Sequence, residues 1–205
     1  MDLELKKHWE TVYQNKSPEQ VSWTQKVPKT SLDFIAQLDL HPSAKIIDVG
    51  GGDSHLVDFL IDEGFEDISV LDISSKAIDR AKNRLGDKGL NIHWIVTNIL
   101  DFAPKRKFDV WHDRAAFHFL TSKKDIETYI KTVREFADHL VLGTFSKNGP
   151  LKCSGLPISQ YDSEDLQALL ESDFELISSR YEDHTTPFDT QQNFLFCSFK
   201  KRNIQ

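Results

Sequence analysis

The sequence predicts an α/β fold, a doubly wound and mostly parallel seven-stranded sheet with helices on both faces. From about residue 30 onward, short apolar stretches rich in β-branched residues alternate with amphipathic stretches of helical period. Three consecutive glycines, Gly50, Gly51 and Gly52, join the first such pair, as in a tight strand-to-helix turn. The last two apolar stretches are too close for a helical crossover, so we expect an antiparallel hairpin with a long loop.

Each element follows from a local pattern. Amphipathic spacing and capping residues predict helices at 3–14, from Pro28 onward, at 56–61 up to Gly64, at 75–85 after the N-cap Ser74, at 123–138, and at 162–171 with Asp162 or Ser163 as N-cap. Short apolar stretches between these helices predict strands at 46–49, 67–73, 91–96, 108–111, 139–145, 174–182 and 193–200.

Length and composition indicate one soluble domain at residues 1–205, with 28–205 as the core and 1–27 as an N-terminal segment outside it. The net charge of −7 argues against nucleic-acid partners. The two cysteines, Cys153 and Cys197, and the scattered histidines form no disulfide framework or metal-ligand motif, so no metal is expected. The N-terminus lacks a signal-like apolar core and no apolar run approaches about 20 residues, so we expect a cytoplasmic protein with no membrane contact.

The glycine turn departs from the dinucleotide-binding fingerprint. The third position of that fingerprint is His55, and the carboxylate of Asp48, just before the glycines, would repel a pyrophosphate. Asp72 follows Gly52 by twenty residues at the end of the next apolar stretch, where an acid accepts hydrogen bonds from a ribose diol. The combination predicts a nucleoside ligand that carries positive charge.

Four segments resemble the class I S-adenosylmethionine-dependent methyltransferases. They are Asp48-Val-Gly-Gly-Gly52, Leu71-Asp-Ile-Ser74, Asn98-Ile99 and Phe108-Asp-Val-Trp-His-Asp-Arg114. The resemblance implies the strand order 3-2-1-4-5-7-6 and S-adenosylmethionine as cofactor, with S-adenosylhomocysteine as product. It also implies that residues 1–27 form a lid over the cofactor pocket. The cofactor-binding residues that it implies are Asp48, Gly50, Gly51, Gly52, Asp72, Ile73, Asn98, Ile99 and, from the lid, Trp23. Asn98 departs from the family's more frequent aspartate, although its amide oxygen can still accept from an adenine amino group.

The densest polar cluster at a predicted strand end is His112, Asp113 and Arg114, followed by His118. These four are the candidate catalytic residues. His112 and Asp113 would position the cofactor or take a proton, and Arg114 would hold a substrate carboxylate. In the structural alternative, Asp113 and Arg114 pin the following turn and His118 packs inside a helix. Because a sulfonium leaves as a neutral thioether, no general acid is required and a base can be absent.

Three further segments are expected around the methyl acceptor. Trp9 and Trp23 in the N-terminal segment either close over the pocket or serve as buried anchors. The turn-rich loop 149–157 carries Cys153, which either contacts a substrate or is an inert small hydrophobe. The loop 182–192 carries His184, which either lines the pocket or belongs to an exposed polar loop.

The leading functional hypothesis is methyl transfer to a small molecule, because the chain has little sequence left over for gripping a macromolecule. The alternative is a protein lysine methyltransferase, since some family members with a similar His-Trp-x-x-x-Tyr N-terminus modify lysine. A third hypothesis is a non-catalytic module that binds the cofactor and regulates a partner. The sequence does not reveal the acceptor atom or the oligomeric state.

Overall fold

Seven strands form one sheet in the computed structural model, which describes residues 3–202. In chain order the strands are β1 (Lys45–Val49), β2 (Asp67–Asp72), β3 (His93–Val96), β4 (Phe108–Arg114), β5 (Ala137–Phe145), β6 (Phe174–Thr185) and β7 (Gln191–Lys201). The order across the sheet is β3-β2-β1-β4-β5-β7-β6, as predicted. β1 to β5 pair in parallel, and β7 pairs antiparallel with both β5 and β6. Residues 1–2 of the predicted lid and 203–205 of the predicted core lie outside the described range.

Six α-helices of residues 3–202 flank the sheet. They are α1 (Leu3–Asn15), α2 (Lys29–Ala36), α3 (Leu56–Asp62), α4 (Ser75–Leu85), α5 (Lys123–Phe136) and α6 (Ser163–Leu170). Two predicted caps are present: the Ser74 side chain accepts from the Ala77 N–H, and Asp162 rather than Ser163 caps α6 by accepting from Asp165. None of the helices in this range is long and apolar enough to cross a membrane.

Several predicted boundaries were wrong, most of them because strand pairing overrides local polarity. β4 continues past residue 111 to Arg114, since its polar end stays in register with β5. β5 begins at Ala137, which pairs with Phe108, so α5 ends at Phe136 rather than 138. β3 begins only at His93, after a turn that replaces its predicted first residues. The hairpin of β6 and β7 has a short connection at 186–190 instead of a long loop, because polar residues up to Thr185 still pair across the hairpin.

The loop predicted at 146–160 contains a small hairpin of its own. Two two-residue strands, Lys152–Cys153 and Leu156–Pro157, pair antiparallel outside the main sheet. The turn between them contains Ser154 and Gly155, both with positive φ. We refer to residues 152–157 as the short hairpin.

Strand alternation divides the buried side chains between the two faces of the sheet. Ile46 and Val110 point to the face covered by α2, α3 and α4, whereas Ile47 and Trp111 point to the face covered by α5 and α6. The same alternation continues into the polar ends of these strands. Asp48 therefore shares a face with His112 and Arg114, and Asp113 lies on the opposite face.

Candidate cofactor and acceptor pocket

The main pocket of the described chain lies beyond the carboxyl ends of β1 and β4, where the strand order reverses. It encloses about 1280 Å³, including space open to solvent. The predicted site residues that line it are Asp48, Gly50, Gly51, Asp72, Ile73, Asn98, Ile99, Trp23, His112 and Arg114. Gly52, Asp113 and His118 are not among the lining residues.

The three glycines allow two carboxylates to approach the turn. Gly50 has φ +70°, a conformation that L side chains rarely adopt. A Cβ on Gly51 would lie 2.2 Å from Asp48 Oδ2, and a Cβ on Gly52 would lie 2.5 Å from Asp72 Oδ2. Gly52 therefore shapes the site through Asp72, to which its backbone N–H donates at 3.1 Å.

Asp72 is a buried acceptor at the end of β2. Its Oδ1 accepts from the Ser74 N–H at 2.8 Å, while Oδ2 accepts from Gly52. Burial raises the pKa of Asp72 to about 7; these two N–H groups oppose the rise, and the nearby carboxylates of Asp48 and Glu10 add to it. Each oxygen retains a lone pair for a hydroxyl donor.

Asp48 is held by a buried hydrogen-bonded chain. Its Oδ1 lies 2.7 Å from Nδ1 of His112, whose Nε2 lies 2.9 Å from the hydroxyl of Ser31 on α2. Because a carboxylate only accepts, we assign the proton to Nδ1. Both imidazole nitrogens are thus engaged, and His112 orients Asp48 rather than presenting a free base. Asp48 Oδ2 is buried and has no hydrogen-bond partner within residues 3–202.

Asn98 forms a wall of the pocket at the end of β3. Its Oδ1 accepts from the Leu100 N–H at 3.0 Å and so caps the short turn Ile99–Asp101. The cap fixes the amide against the pocket beside Ile99, with one lone pair of the oxygen still available.

Arg114 is the cation of the pocket wall. Its Nη1 donates to the Trp23 carbonyl at 2.9 Å, and its guanidinium carbon lies 4.6 Å from the centre of the Phe194 ring. Its Nε and Nη2 are buried without a hydrogen-bond partner in the described chain. Burial lowers the pKa of Arg114 to about 10, against the opposing charge of Glu182, so the group stays protonated at neutral pH.

Asp113 does not line the pocket, contrary to the prediction that it positions the cofactor or takes a proton. It points to the α5 face, where Oδ1 accepts from the Ala116 and Phe117 N–H groups and Oδ2 accepts from the Tyr129 hydroxyl. Burial raises the pKa of Asp113 to about 6. Its position matches the structural alternative, in which it pins the turn after β4.

His118 is also outside the pocket. It is fully buried in the turn Phe117–Phe119, its ring packs on Phe145, and its Nδ1 lies 3.4 Å from the Phe145 backbone nitrogen. Burial, and secondarily the charge of Arg114, lower the pKa of His118 to about 3, so the imidazole is neutral. A contact with cofactor or acceptor would require this turn to rearrange.

Aromatic rings close the pocket on the side of α1. Trp9 and Trp23 both line it, with ring centres 5.6 Å apart, and Trp9 also lies 5.2 Å from Phe119. The two tryptophans are therefore both packed anchors and pocket walls. Tyr13 completes the aromatic side of the pocket.

Sequence reasoning missed the residue that docks α1. Glu10 accepts from the Ser75 and Lys76 N–H groups and from the Ser74 and Ser75 hydroxyls, which caps the N-terminus of α4. Burial would raise the pKa of Glu10, but these four hydrogen bonds lower it below its ordinary value. The sequence contains no local signal for this contact, because the partners are more than sixty residues apart.

The two loops predicted near the acceptor differ in their positions. Cys153, on the short hairpin, lines the pocket, and burial raises the pKa of its thiol to about 12. The adjacent Ser154 hydroxyl lies 3.2 Å from Nε2 of His8 on α1. His184 is not a lining residue; its Nε2 lies 2.8 Å from the Ser22 carbonyl and so fixes the segment that carries Trp23.

Comparisons with known proteins agree with this geometry. Residues 46–140 match the family model described as a methyltransferase domain. Residues 46–140 therefore carry a methyltransferase domain, and the fold around them is that of the S-adenosylmethionine-dependent methyltransferases. The chain is similar to the N-methyltransferase NodS from Bradyrhizobium japonicum, solved with S-adenosylhomocysteine, at 15% identity and TM-score 0.74, covering 97% of this chain and 98% of that chain. It is also similar to the 1,6-didemethyltoxoflavin-N1-methyltransferase from Burkholderia thailandensis, at 14% identity and TM-score 0.71, covering 97% and 88%.

The sequence relatives match a shorter part of the chain than these solved structures do. The malonyl-[acyl-carrier protein] O-methyltransferase of Anoxybacillus flavithermus is 27% identical over 107 residues, which is 52% of this chain and 40% of that protein. The matched region spans 29–40% of the length of the curated relatives.

The residues present fit S-adenosylmethionine. Asp48 Oδ2, which has no hydrogen-bond partner among the described residues, suits a positively charged group, and Asp72 retains acceptor capacity for a ribose diol. The glycine turn lets both carboxylates lie directly against its backbone, because a Cβ on Gly51 or Gly52 would overlap them. The pocket thus has two halves. One is anionic and lined by the glycine turn, and the other is walled by aromatic rings and Arg114.

Proposed function

We propose that the protein transfers the methyl group of S-adenosylmethionine to a small-molecule acceptor. One observation carries the proposal. Two differently bonded carboxylates, Asp48 and Asp72, flank the glycine turn of a pocket that continues into a space walled by aromatic rings and Arg114. This division supports a cofactor in the first half and an acceptor in the second.

The cofactor half supports specific assignments. Asp72 would accept from the ribose hydroxyls, and Asp48 Oδ2 from the cofactor's amino group. Ile73 and Ile99 would contact the adenine, whose amino group would donate to the remaining lone pair of Asn98 Oδ1. His112 would contribute to cofactor binding indirectly, because its hydrogen bond fixes the orientation of Asp48.

Methyl transfer from a sulfonium requires little acid–base catalysis by the protein. When bound, S-adenosylmethionine supplies a methyl carbon activated by an adjacent sulfonium. The protein's own contribution would be to align the acceptor and exclude water, which the rings of Trp9, Trp23 and Phe119 are placed to do. Because both nitrogens of His112 are engaged, the structure favours positioning over general base catalysis by that residue.

Two arguments favour a small molecule over a lysine side chain. The 1,6-didemethyltoxoflavin-N1-methyltransferase was solved with the small molecule 1,6-didemethyltoxoflavin bound, and the malonyl-[acyl-carrier protein] relatives are named as O-methyltransferases rather than lysine N-methyltransferases. Arg114 also places a positive charge at the acceptor end, where it would repel an ammonium group.

A labelling experiment tests the proposal. The purified protein is incubated with methyl-labelled S-adenosylmethionine and host extract, and the products are separated by size. Label in the small-molecule fraction, absent with Asp72→Ala, is the expected result. Label in a discrete protein band would instead support a protein methyltransferase. Cofactor binding without any transfer would favour a non-catalytic binding module.

A further inference from the structure

We propose that the acceptor carries a carboxylate, which binds the Nε and Nη2 atoms of Arg114. This inference rests on the proposed methyl transfer and narrows its substrate class. Nε and Nη2 lie along one edge of the planar guanidinium, and both are buried without a partner among residues 3–202. Two parallel N–H donors on one edge match the two oxygens of a carboxylate.

The guanidinium is fixed before any ligand arrives. Nη1 is occupied by the Trp23 carbonyl, and the plane packs on Phe194. Arg114 itself lies in the last paired position of β4, opposite Gly143 of β5. Three constraints therefore hold the free edge in one orientation, and little side-chain entropy remains to be lost on binding.

The protein does not satisfy this edge itself. Glu182 is near enough to raise the pKa of Arg114, yet its Oε2 is also buried without a hydrogen-bond partner in the described chain. Unpaired buried donors on a charged group destabilise the empty protein. A ligand carboxylate would remove that penalty, and the pocket would discriminate strongly against neutral analogues.

A carboxylate fits better than a phosphate. Arg114 is the single lysine or arginine among the residues that line the pocket in the described part of the chain, and Asp48 adds negative charge to the same wall. One positive charge balances a monoanion, whereas a phosphate monoester near neutral pH carries nearly two negative charges.

The test compares isosteric probes on protein saturated with S-adenosylhomocysteine. Benzoate and benzamide, phenylacetate and phenylacetamide, and succinate and succinamide are titrated, with tryptophan fluorescence and calorimetry as readouts. At least one carboxylate should bind tenfold or more tightly than its amide. That preference should disappear in Arg114→Gln and Arg114→Lys, because both lose the two-donor edge.

Arg180→Gln is the matched control. Arg180 also lies over a ring, that of Phe34, but pairs with Asp33 and does not line the pocket. It should leave the carboxylate preference unchanged. Affinity for S-adenosylhomocysteine within twofold of the unmodified protein would show that the Arg114 variants are folded.

Two results would overturn the inference. The first is equal affinity of the unmodified protein for every carboxylate and its amide, a result that does not depend on how any variant folds. Tighter binding of phenyl phosphate than of all three carboxylates would assign the edge to a phosphate. Failure of S-adenosylhomocysteine itself to bind would count against the proposed function, so the two failures are distinguishable.

Discussion

At the scale of single residues, the two acids of the glycine turn differ in their bonding. Asp48 shares one oxygen with His112 and leaves the other without a partner in the described chain, whereas both oxygens of Asp72 accept backbone N–H groups. Asp72 nevertheless has a pKa raised to about 7 by burial. A carboxyl whose pKa is raised on folding stabilises the protein at low pH and loses that contribution as pH rises from about 4 to about 7.

Cofactor affinity should therefore depend on pH through Asp72. Hydroxyl donors bond more strongly to a carboxylate than to a carboxylic acid. With a pKa of about 7, ionisation rises from about one tenth to about nine tenths between pH 6 and pH 8, so affinity for S-adenosylhomocysteine should increase by about tenfold. Calorimetric titrations across this range would measure the increase. Asp72→Asn should bind more weakly and lose the dependence; an equally steep profile in that variant would assign the proton elsewhere.

Gly51→Ala should disable the Asp48 side of the site. The added Cβ would meet Asp48 Oδ2 at 2.2 Å, so the carboxylate would have to turn away from the pocket. We expect affinity for S-adenosylhomocysteine to fall by about tenfold or more, which corresponds to about 1.4 kcal/mol. Gly86→Ala is the control, since it strains a positive φ with nothing within 4 Å and should lower stability alone. Unchanged affinity in Gly51→Ala would show that Asp48 makes no contact with the cofactor.

The polar end of β4 illustrates how far residue-level prediction could go. The sequence identified His112, Asp113 and Arg114 as a functional cluster but ended the strand at Trp111. Had the strand been extended by three residues, alternation would have placed His112 and Arg114 on one face and Asp113 on the other. Ser31, the second partner of His112, was unpredictable because its hydroxyl comes from α2, far along the chain.

At the scale of elements, α1 is held by its contact with α4. Glu10 caps α4, and Arg80 on that helix donates to the Tyr13 and Lys16 carbonyls at the end of α1. The amphipathic spacing of α1 was readable from the sequence, but its docking site was not, because capping by a distant carboxylate leaves no local pattern. The alternation of strands and helices, by contrast, determines the sheet order with few alternatives.

Glu10→Ala should loosen α1 and weaken cofactor binding. Loss of the cap should lower the free energy of unfolding by about 1–2 kcal/mol. Because Ser74 bonds both Glu10 and Asp72, affinity for S-adenosylhomocysteine should also fall. Urea denaturation and calorimetry measure the two effects. Thr11→Ala, whose hydroxyl bonds the Lys7 carbonyl on the exposed side of α1, is the control and should change neither. A stability loss with full affinity would mean that α1 is not part of the binding site.

At the scale of the whole molecule, the reactivity of the two cysteines distinguishes local opening of the pocket from global unfolding of the sheet. Cys153 lies on the short hairpin beside the pocket, and Cys197 is buried on β7, where it is paired on both sides by β5 and β6. Both thiols are buried with a pKa of about 12, so each should react only when its surroundings open.

Iodoacetamide labelling followed by mass spectrometry should separate these openings. Cys153 should label faster, since only the short hairpin and α1 need to move, and S-adenosylhomocysteine should slow it. Cys197 should label at the rate of global unfolding. In denaturant both thiols should label at equal rates. Equal rates in the native protein as well would show that the pocket and the sheet open as one unit.

The position of β7 has a consequence for how the chain reaches this fold. β7 is the last strand along the described chain, yet it lies between β5 and β6 in the sheet. Until β7 has been synthesised, β5 has an open edge rich in apolar residues, and β6 has no partner. Such an edge is a template for pairing with other chains. A nascent chain that stalls before residue 191 should therefore depend on chaperones or aggregate, even though β1 to β4, which carry the cofactor half of the pocket, have already been synthesised.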